Sequence, residues 1–161
     1  MNQTRYQIED VDQIISPSLV VFRETLEENL AEMVRIAGDP ARLRPHCKTH
    51  KMSQVVELQL ALGITRHKCA TFAEAEMLVA AGVDDILLAY NLVGPNLMRA
   101  VEFLQTYPQV KFAATADHHG PIEQLAEVMQ QSGLSIELEQ PVIGHPVEPA
   151  SCRRAIPAHN G

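Results

Sequence analysis

The chain has 161 residues, 46% of them hydrophobic, and a formal net charge of −7. That is enough for one domain with a core of its own, and it is not the composition of a disordered segment. The acidic balance argues against nucleic acid as the main partner, because phosphate binding needs a basic face. Cys47, Cys69 and Cys152 have no paired spacing. They suggest no disulfide framework and point to a reducing cytoplasm. Met1 to Asp12 is polar and has no apolar h-region, and no run approaches a membrane span in length.

After this lead-in, Ser16-Pro17 introduces a predicted strand, Ser18 to Phe22, with Leu19, Val20 and Val21 as its apolar body. Leu26, Leu30, Met33, Val34 and Ala37 recur at helical spacing from about Arg23, and Gly38-Asp39-Pro40 stops that helix. Arg42 to Lys48 is the next predicted strand. A period of two puts Arg44, His46 and Lys48 on one face and Cys47 on the other. A helix over about Met52 to Leu62 ends at Gly63.

Arg66 to Ala70 is a third strand. Thr71-Phe72-Ala73-Glu74 fits the capping box S/T-x-x-E, and its helix ends at Gly82. Asp84 to Tyr90 is an unbroken apolar run, as expected of a strand covered on both faces. Gly94-Pro95 opens a helix carrying Leu97, Val101 and Leu104. Gln109 to Thr115 is a fifth strand. Asp117 is the predicted N-cap of a helix with Ile122, Leu125 and Met129 on its buried stripe, ending at Gly133. Leu134 to Leu138 begins a sixth strand. Beyond it, Pro141, Pro146, Pro149 and Pro157 break any period. The expected division is an α/β unit over 1–137 and an irregular tail over 138–161.

The strand ends keep a regular interval: Lys48 to Cys69 is 21 positions, Cys69 to Tyr90 is 21 and Tyr90 to Thr115 is 25. Strand and helix alternating in this way call for a parallel sheet, either doubly wound or part of a (β/α)₈ barrel. No G-x-G-x-x-G follows the first strand, which lowers the dinucleotide-binding version.

In α/β proteins the carboxyl ends of the strands carry the chemistry. Lys48 is placed at such an end, with Arg44 and His46 behind it. Neighbouring positive charge favours a neutral amine, which is what a Schiff base with an aldehyde such as pyridoxal phosphate requires. The same residues also fit a solvated basic loop. A metal is a second candidate, with His46, Cys47, His50, His67 and Cys69 as soft ligands. Strand alternation separates His46 from Cys47, however, and there is no C-x-x-C. Thr49, Thr71 and the Gly94 turn could donate hydrogen bonds to a phosphate, although Thr71 is already explained as a helix cap. Tyr90 fits a pocket wall or the core. Asp117-His118-His119 fits an acid/base pair or a cap followed by exposed histidines.

Arg44-Pro45-His46-Cys47-Lys48-Thr49-His50-Lys51 resembles the R-P-H-x-K-T-H-K motif of the D-threonine aldolase and D-serine dehydratase family. Ser16 to Val21, His67 to Thr71 with Glu74-Ala75-Glu76, and Asp85 to Tyr90 with Val93-Gly94-Pro95 resemble further segments of that family in the same order. The resemblance covers about Ser16 to Glu137. It implies a parallel (β/α) barrel of the alanine racemase N-terminal type, of which this chain would hold about the first half. It implies pyridoxal 5'-phosphate carried on Lys48; Arg44, His46, Thr71 and Tyr90 are then the candidate cofactor-binding residues beside it. It also implies a C-terminal β domain that supplies a divalent metal, a homodimer, and a small D-amino acid as substrate. The reaction would be retro-aldol cleavage or loss of water.

After Ile136 the family pattern is no longer followed, and the metal ligands and late phosphate loops have no counterpart. A truncated or frame-shifted product, inactive and prone to self-association, is therefore expected. A non-catalytic pyridoxal-phosphate-binding protein and an α/β interaction domain without cofactor are the alternatives.

Overall fold

The computed structural model describes residues 6–139 and the backbone of Arg154–Ala155. Among the described residues there are five α-helices: α1 (Arg23–Ala37), α2 (Ser53–Ala61), α3 (Phe72–Ala80), α4 (Pro95–Thr106) and α5 (His119–Ser132). They accompany four parallel strands: β1 (Arg66–Cys69), β2 (Asp85–Leu88), β3 (Lys111–Thr115) and β4 (Glu137–Glu139). A two-residue β5 (Arg154–Ala155) pairs antiparallel with β4. The boundary expected at 137 thus falls inside β4. The rest of the expected tail, apart from β5, lies outside the described residues.

The strand order β1-β2-β3-β4 follows the sequence without reversal. Right-handed crossovers between successive neighbours place α3, α4 and α5 on the same side of the sheet. A doubly wound sheet must reverse direction to cover its second face, so this order selects the barrel-type arrangement. The packing agrees with this. Ile86, Leu88, Phe112, Ala114 and Leu138 share one core with Phe72, Leu78, Leu97, Val101, Leu125 and Met129 of the helices. The rings of Phe103 and Phe112 lie 4.6 Å apart at the centre of that core, and Phe72 lies 6.0 Å from each.

Residues at alternate strand positions point away from the helices. Leu87 on this second face is also buried, in keeping with the apolar run of β2. The other residues there are mostly polar. Arg44 donates from Nη2 to Asp85 at 2.9 Å and lies 3.7 Å from Glu139. Counting the extended segment before β1 as a strand, these three residues come from alternate strands. Barrel interiors are layered in this way, because strand tilt brings alternate strands to one level.

Two expected strands are not formed. Ser18 to Phe22 pairs with no strand among the described residues, and Leu19 is 70% exposed. Its β-prone side chains need a ladder to hold an extended strand, and the segment has none among the described residues, although Phe22 packs its ring 5.2 Å from that of Tyr6. Arg42 to Lys48 is split. Pro40–Arg42 and Cys47–Thr49 are single 3-10 turns. Between them Pro45 has no N–H to give to a ladder, and one parallel bridge, His46 to Lys68, is the only pairing. Asp117 is not the cap of α5. His118 Nδ1 accepts from Gly120 N at 3.3 Å, and Asp117 instead accepts from Asn91 Nδ2 at 2.6 Å.

Candidate functional site

The chain enters the site along Leu43 to His46, held to β1 by the Lys68 N–H donated to the Pro45 carbonyl at 2.8 Å. The 3-10 turn at Cys47 changes the direction of every following side chain. Cys47 is 1% exposed and joins the core. Lys48 turns outward and is exposed beyond the carboxyl end of the parallel pairing. Its backbone N–H is donated to His46 Nδ1 at 3.2 Å. The alternation that placed Arg44, His46 and Lys48 on one face therefore stops at His46. Arg44 is taken up by Asp85 and Glu139, so its charge is compensated away from Lys48. Burial, and then the positive charge of Lys48, hold His46 below the usual imidazole range, so it is the neutral neighbour of that lysine.

The turn closes at Lys51, whose N–H is donated to the Cys47 carbonyl at 2.8 Å. Lys51 has φ 51°, a left-handed conformation that non-glycine residues seldom adopt. From there its Nζ reaches Glu74 Oε1 at 2.6 Å. The Glu74 side chain is 5% exposed, and its second oxygen accepts from Ala70 N at 2.7 Å. Burial by itself would raise the Glu74 carboxyl, but Lys51 and the Ala70 N–H outweigh it and hold the group below the usual carboxylate range.

Thr71 caps α3 as expected, accepting from Glu74 N at 3.2 Å. The return half of the capping box is diverted, since Glu74 serves Ala70 and Lys51 rather than the Thr71 N–H. Tyr90 is 64% exposed and is a wall, not core. With Thr71, Asn91, Asn96 and Arg99 it lines a surface cleft of about 250 Å³ between the loops after β1 and β2.

Sequence reasoning set a metal aside because His46 and Cys47 were placed on opposite faces. That ground does not hold, because ligand atoms of His46, Cys47 and Glu74 lie within 4.8 Å of one another. The donors are nonetheless committed. Glu74 is neutralised by Lys51, and burial pushes the Cys47 thiol up to about 11. Of the other proposed ligands, His67 and Cys69 are sealed in the core, and His50 Nδ1 accepts from Met52 N at 3.1 Å.

The motif around Lys48, at the carboxyl edge of a one-sided parallel sheet, directs the comparison with known proteins. D-threonine aldolase of Arthrobacter sp. is 32% identical over 124 residues, 76% of this chain and 32% of the aldolase. The chain is thus similar to part of D-threonine aldolase. D-threo-3-hydroxyaspartate dehydratase of Delftia sp. is 35% identical over 88 residues, 54% of this chain and 23% of the dehydratase.

Among solved structures, D-threonine aldolase from Filomicrobium marinum superposes with a TM-score of 0.70 at 26% identity, covering 89% of this chain and 38% of the other. A D-threo-3-hydroxyaspartate dehydratase mutant in its metal-free form gives 0.73 at 27%, covering 84% and 36%. An alanine racemase-like protein from Idiomarina loihiensis, at 20% identity and 0.65, shares the fold; the match covers 79% of this chain and 35% of that one. No protein-family model matches the chain. The chain spans about a third, or less, of the length of the curated relatives it matches.

Proposed function

We propose that this chain is the cofactor-bearing part of a pyridoxal-phosphate-dependent lyase acting on D-3-hydroxy amino acids, of the aldolase or dehydratase kind. The observation that carries the reading is the placement of Lys48. It stands outside the core, on a turn closed by hydrogen bonds, at the carboxyl edge where α/β sheets do their chemistry. The residues present fit attachment of the cofactor. No carboxylate among the described residues pairs with the Lys48 amine, and neutral His46 lies beside it. Bound there, pyridoxal phosphate supplies an electron sink for the substrate's α-carbon.

Lys48 would hold the cofactor and exchange a proton at Nζ. His46 fixes the Lys48 backbone through Nδ1 and adds no charge of its own. Thr71 keeps a hydroxyl proton to donate, because its oxygen is the acceptor for Glu74 N. Tyr90 walls the neighbouring cleft. Arg44 ties β2 and β4 together beneath the turn. The two described cysteines are free and buried, which supports a reducing compartment. No helix among the described residues is long and apolar enough to cross a membrane.

The experiment is to incubate the purified protein with pyridoxal phosphate, reduce with borohydride and map the modified peptide. One adduct on Lys48, lost in Lys48→Ala, is expected. Adducts scattered over many lysines would sink the assignment.

A further inference from the structure

We infer that Glu74 and Lys51 form a latch that positions Lys48 for reaction with an aldehyde. The inference rests on the attachment proposed above and adds two residues to it. The turn that carries Lys48 is anchored twice. On its amino side, Pro45 and His46 are tied to β1 through Lys68. On its carboxyl side, the attachment to α3 runs through the side chain of Lys51 onto Glu74. Lys48 lies between the two anchors and is itself exposed.

Three features mark the second anchor as more than a surface ion pair. The carboxylate is almost fully buried, so losing its partner would leave a charge without solvent. Its other oxygen grips the Ala70 N–H, so the same group fixes the end of β1 and the turn together. Lys51 also reaches it from a left-handed backbone, a strained conformation that persists only where surrounding contacts over-determine it. Cys47, the first residue of the turn, packs its sulfur 3.9 Å from the same carboxylate. The carboxylate therefore contacts both ends of the five-residue stretch Cys47 to Lys51, with Lys48 held inside it. A nucleophile held in one place reacts faster than one that samples many.

The latch is tested by measuring, per folded molecule, the rate at which Lys48 is trapped by pyridoxal phosphate and borohydride. Labelling of Lys48 by a small acylating reagent gives a second readout that needs no cofactor. Four proteins are compared: wild type, Lys51→Met, Lys51→Arg, and the double variant Lys51→Met with Glu74→Gln. The double variant removes both charges together, and its amide oxygen can still accept from Ala70, which guards against unfolding through an unpaired buried carboxylate.

Lys51→Met and the double variant are expected to lower Lys48 trapping about tenfold and to spread adducts to other lysines. Lys51→Arg should restore the wild-type rate and selectivity. If the double variant is folded and traps at Lys48 like wild type, the latch is structural only and the inference is overturned. A change in unfolding midpoint with unchanged trapping overturns it equally. If wild-type Lys48 itself is not selectively trapped, the attachment reading fails first.

Discussion

The two faces of the sheet are built on opposite rules. The helix-covered face is a continuous apolar core in which Ile86, Leu88, Phe112, Ala114 and Leu138 meet α3, α4 and α5. The other face carries ions: Arg44 between Asp85 and Glu139. Stability is concentrated on the first face, because apolar burial is large and non-directional. The second face and the adjoining carboxyl edge hold groups that must be oriented one at a time. Changes to the covered face should therefore act on folding, and changes to the edge should act on the state of particular side chains.

The largest effect should come from the centre of the covered face. Phe112 is 4% exposed and touches both Phe72 and Phe103. Phe112→Ala should cost about 4 kcal/mol through lost transfer energy and a cavity, read as a shift in the urea midpoint. A loss below about 1 kcal/mol would show a core that collapses around the deletion, and would weaken the contrast between the faces.

Next comes the one imidazole buried on the covered face among the described residues. His67 is fully buried and bonds Gln59 Oε1 at 3.0 Å, and burial lowers it to about 4 from an ordinary value of 6.5. The unfolded chain takes up a proton between these values and the folded chain does not. Stability is then fully present above the ordinary value and falls as pH drops towards the folded one. The loss should reach roughly 3 kcal/mol across that window. His67→Gln should flatten this limb in urea titrations at successive pH values. A limb left unchanged would mean that the proton uptake belongs elsewhere. The separate loss linked to Glu74, whose carboxyl is lowered, begins only below the ordinary carboxylate value and so lies at more acid pH.

The same contrast explains what could be read from the sequence. The covered face announces itself by period: Leu97, Val101 and Leu104 on α4, the apolar run of β2 and the Thr71 cap all stand where spacing put them. The edge follows no period. A count by twos through Arg44, His46 and Lys48 fails because a 3-10 turn begins at Cys47, which buries the cysteine and turns the lysine out. Glu74 fitted a local cap, and no local rule pairs it with Lys51, 23 positions away. Asp85 was read only as part of a strand and Glu139 only as part of the irregular tail, yet strand tilt brings both to Arg44. Pairings made by tertiary geometry leave no trace in spacing.

Arg44→Met tests the open face with a smaller expected effect. The change removes the partner of Asp85, whose side chain is 18% exposed, but it also removes the buried Nη1 that has no hydrogen-bond partner among the described residues. These effects oppose each other, so a net cost of about 1 kcal/mol is expected. Asp85→Asn in the same background should add little, since the pair is already broken. Additive costs in this double-mutant cycle would mean that the two residues do not act as a pair.

The smallest effect belongs to the expected strand Ser18 to Phe22, which did not form, and to the residues just before it. Leu19 is 70% exposed and Ile15 84% exposed. Buried in a ladder, either would lose about 1.5–3 kcal/mol of transfer energy on conversion to serine. Exposed as they are, Leu19→Ser and Ile15→Ser should stay within about 0.5 kcal/mol of wild type in urea unfolding. Solubility should respond in the opposite sense and rise, because both residues belong to a run of apolar side chains facing water that includes Val11, Ile14, Val20 and Val21. If instead Leu19→Ser unfolds the protein as Phe112→Ala does, that run is covered in solution, and the apolar surface is not confined to the helix side of the sheet.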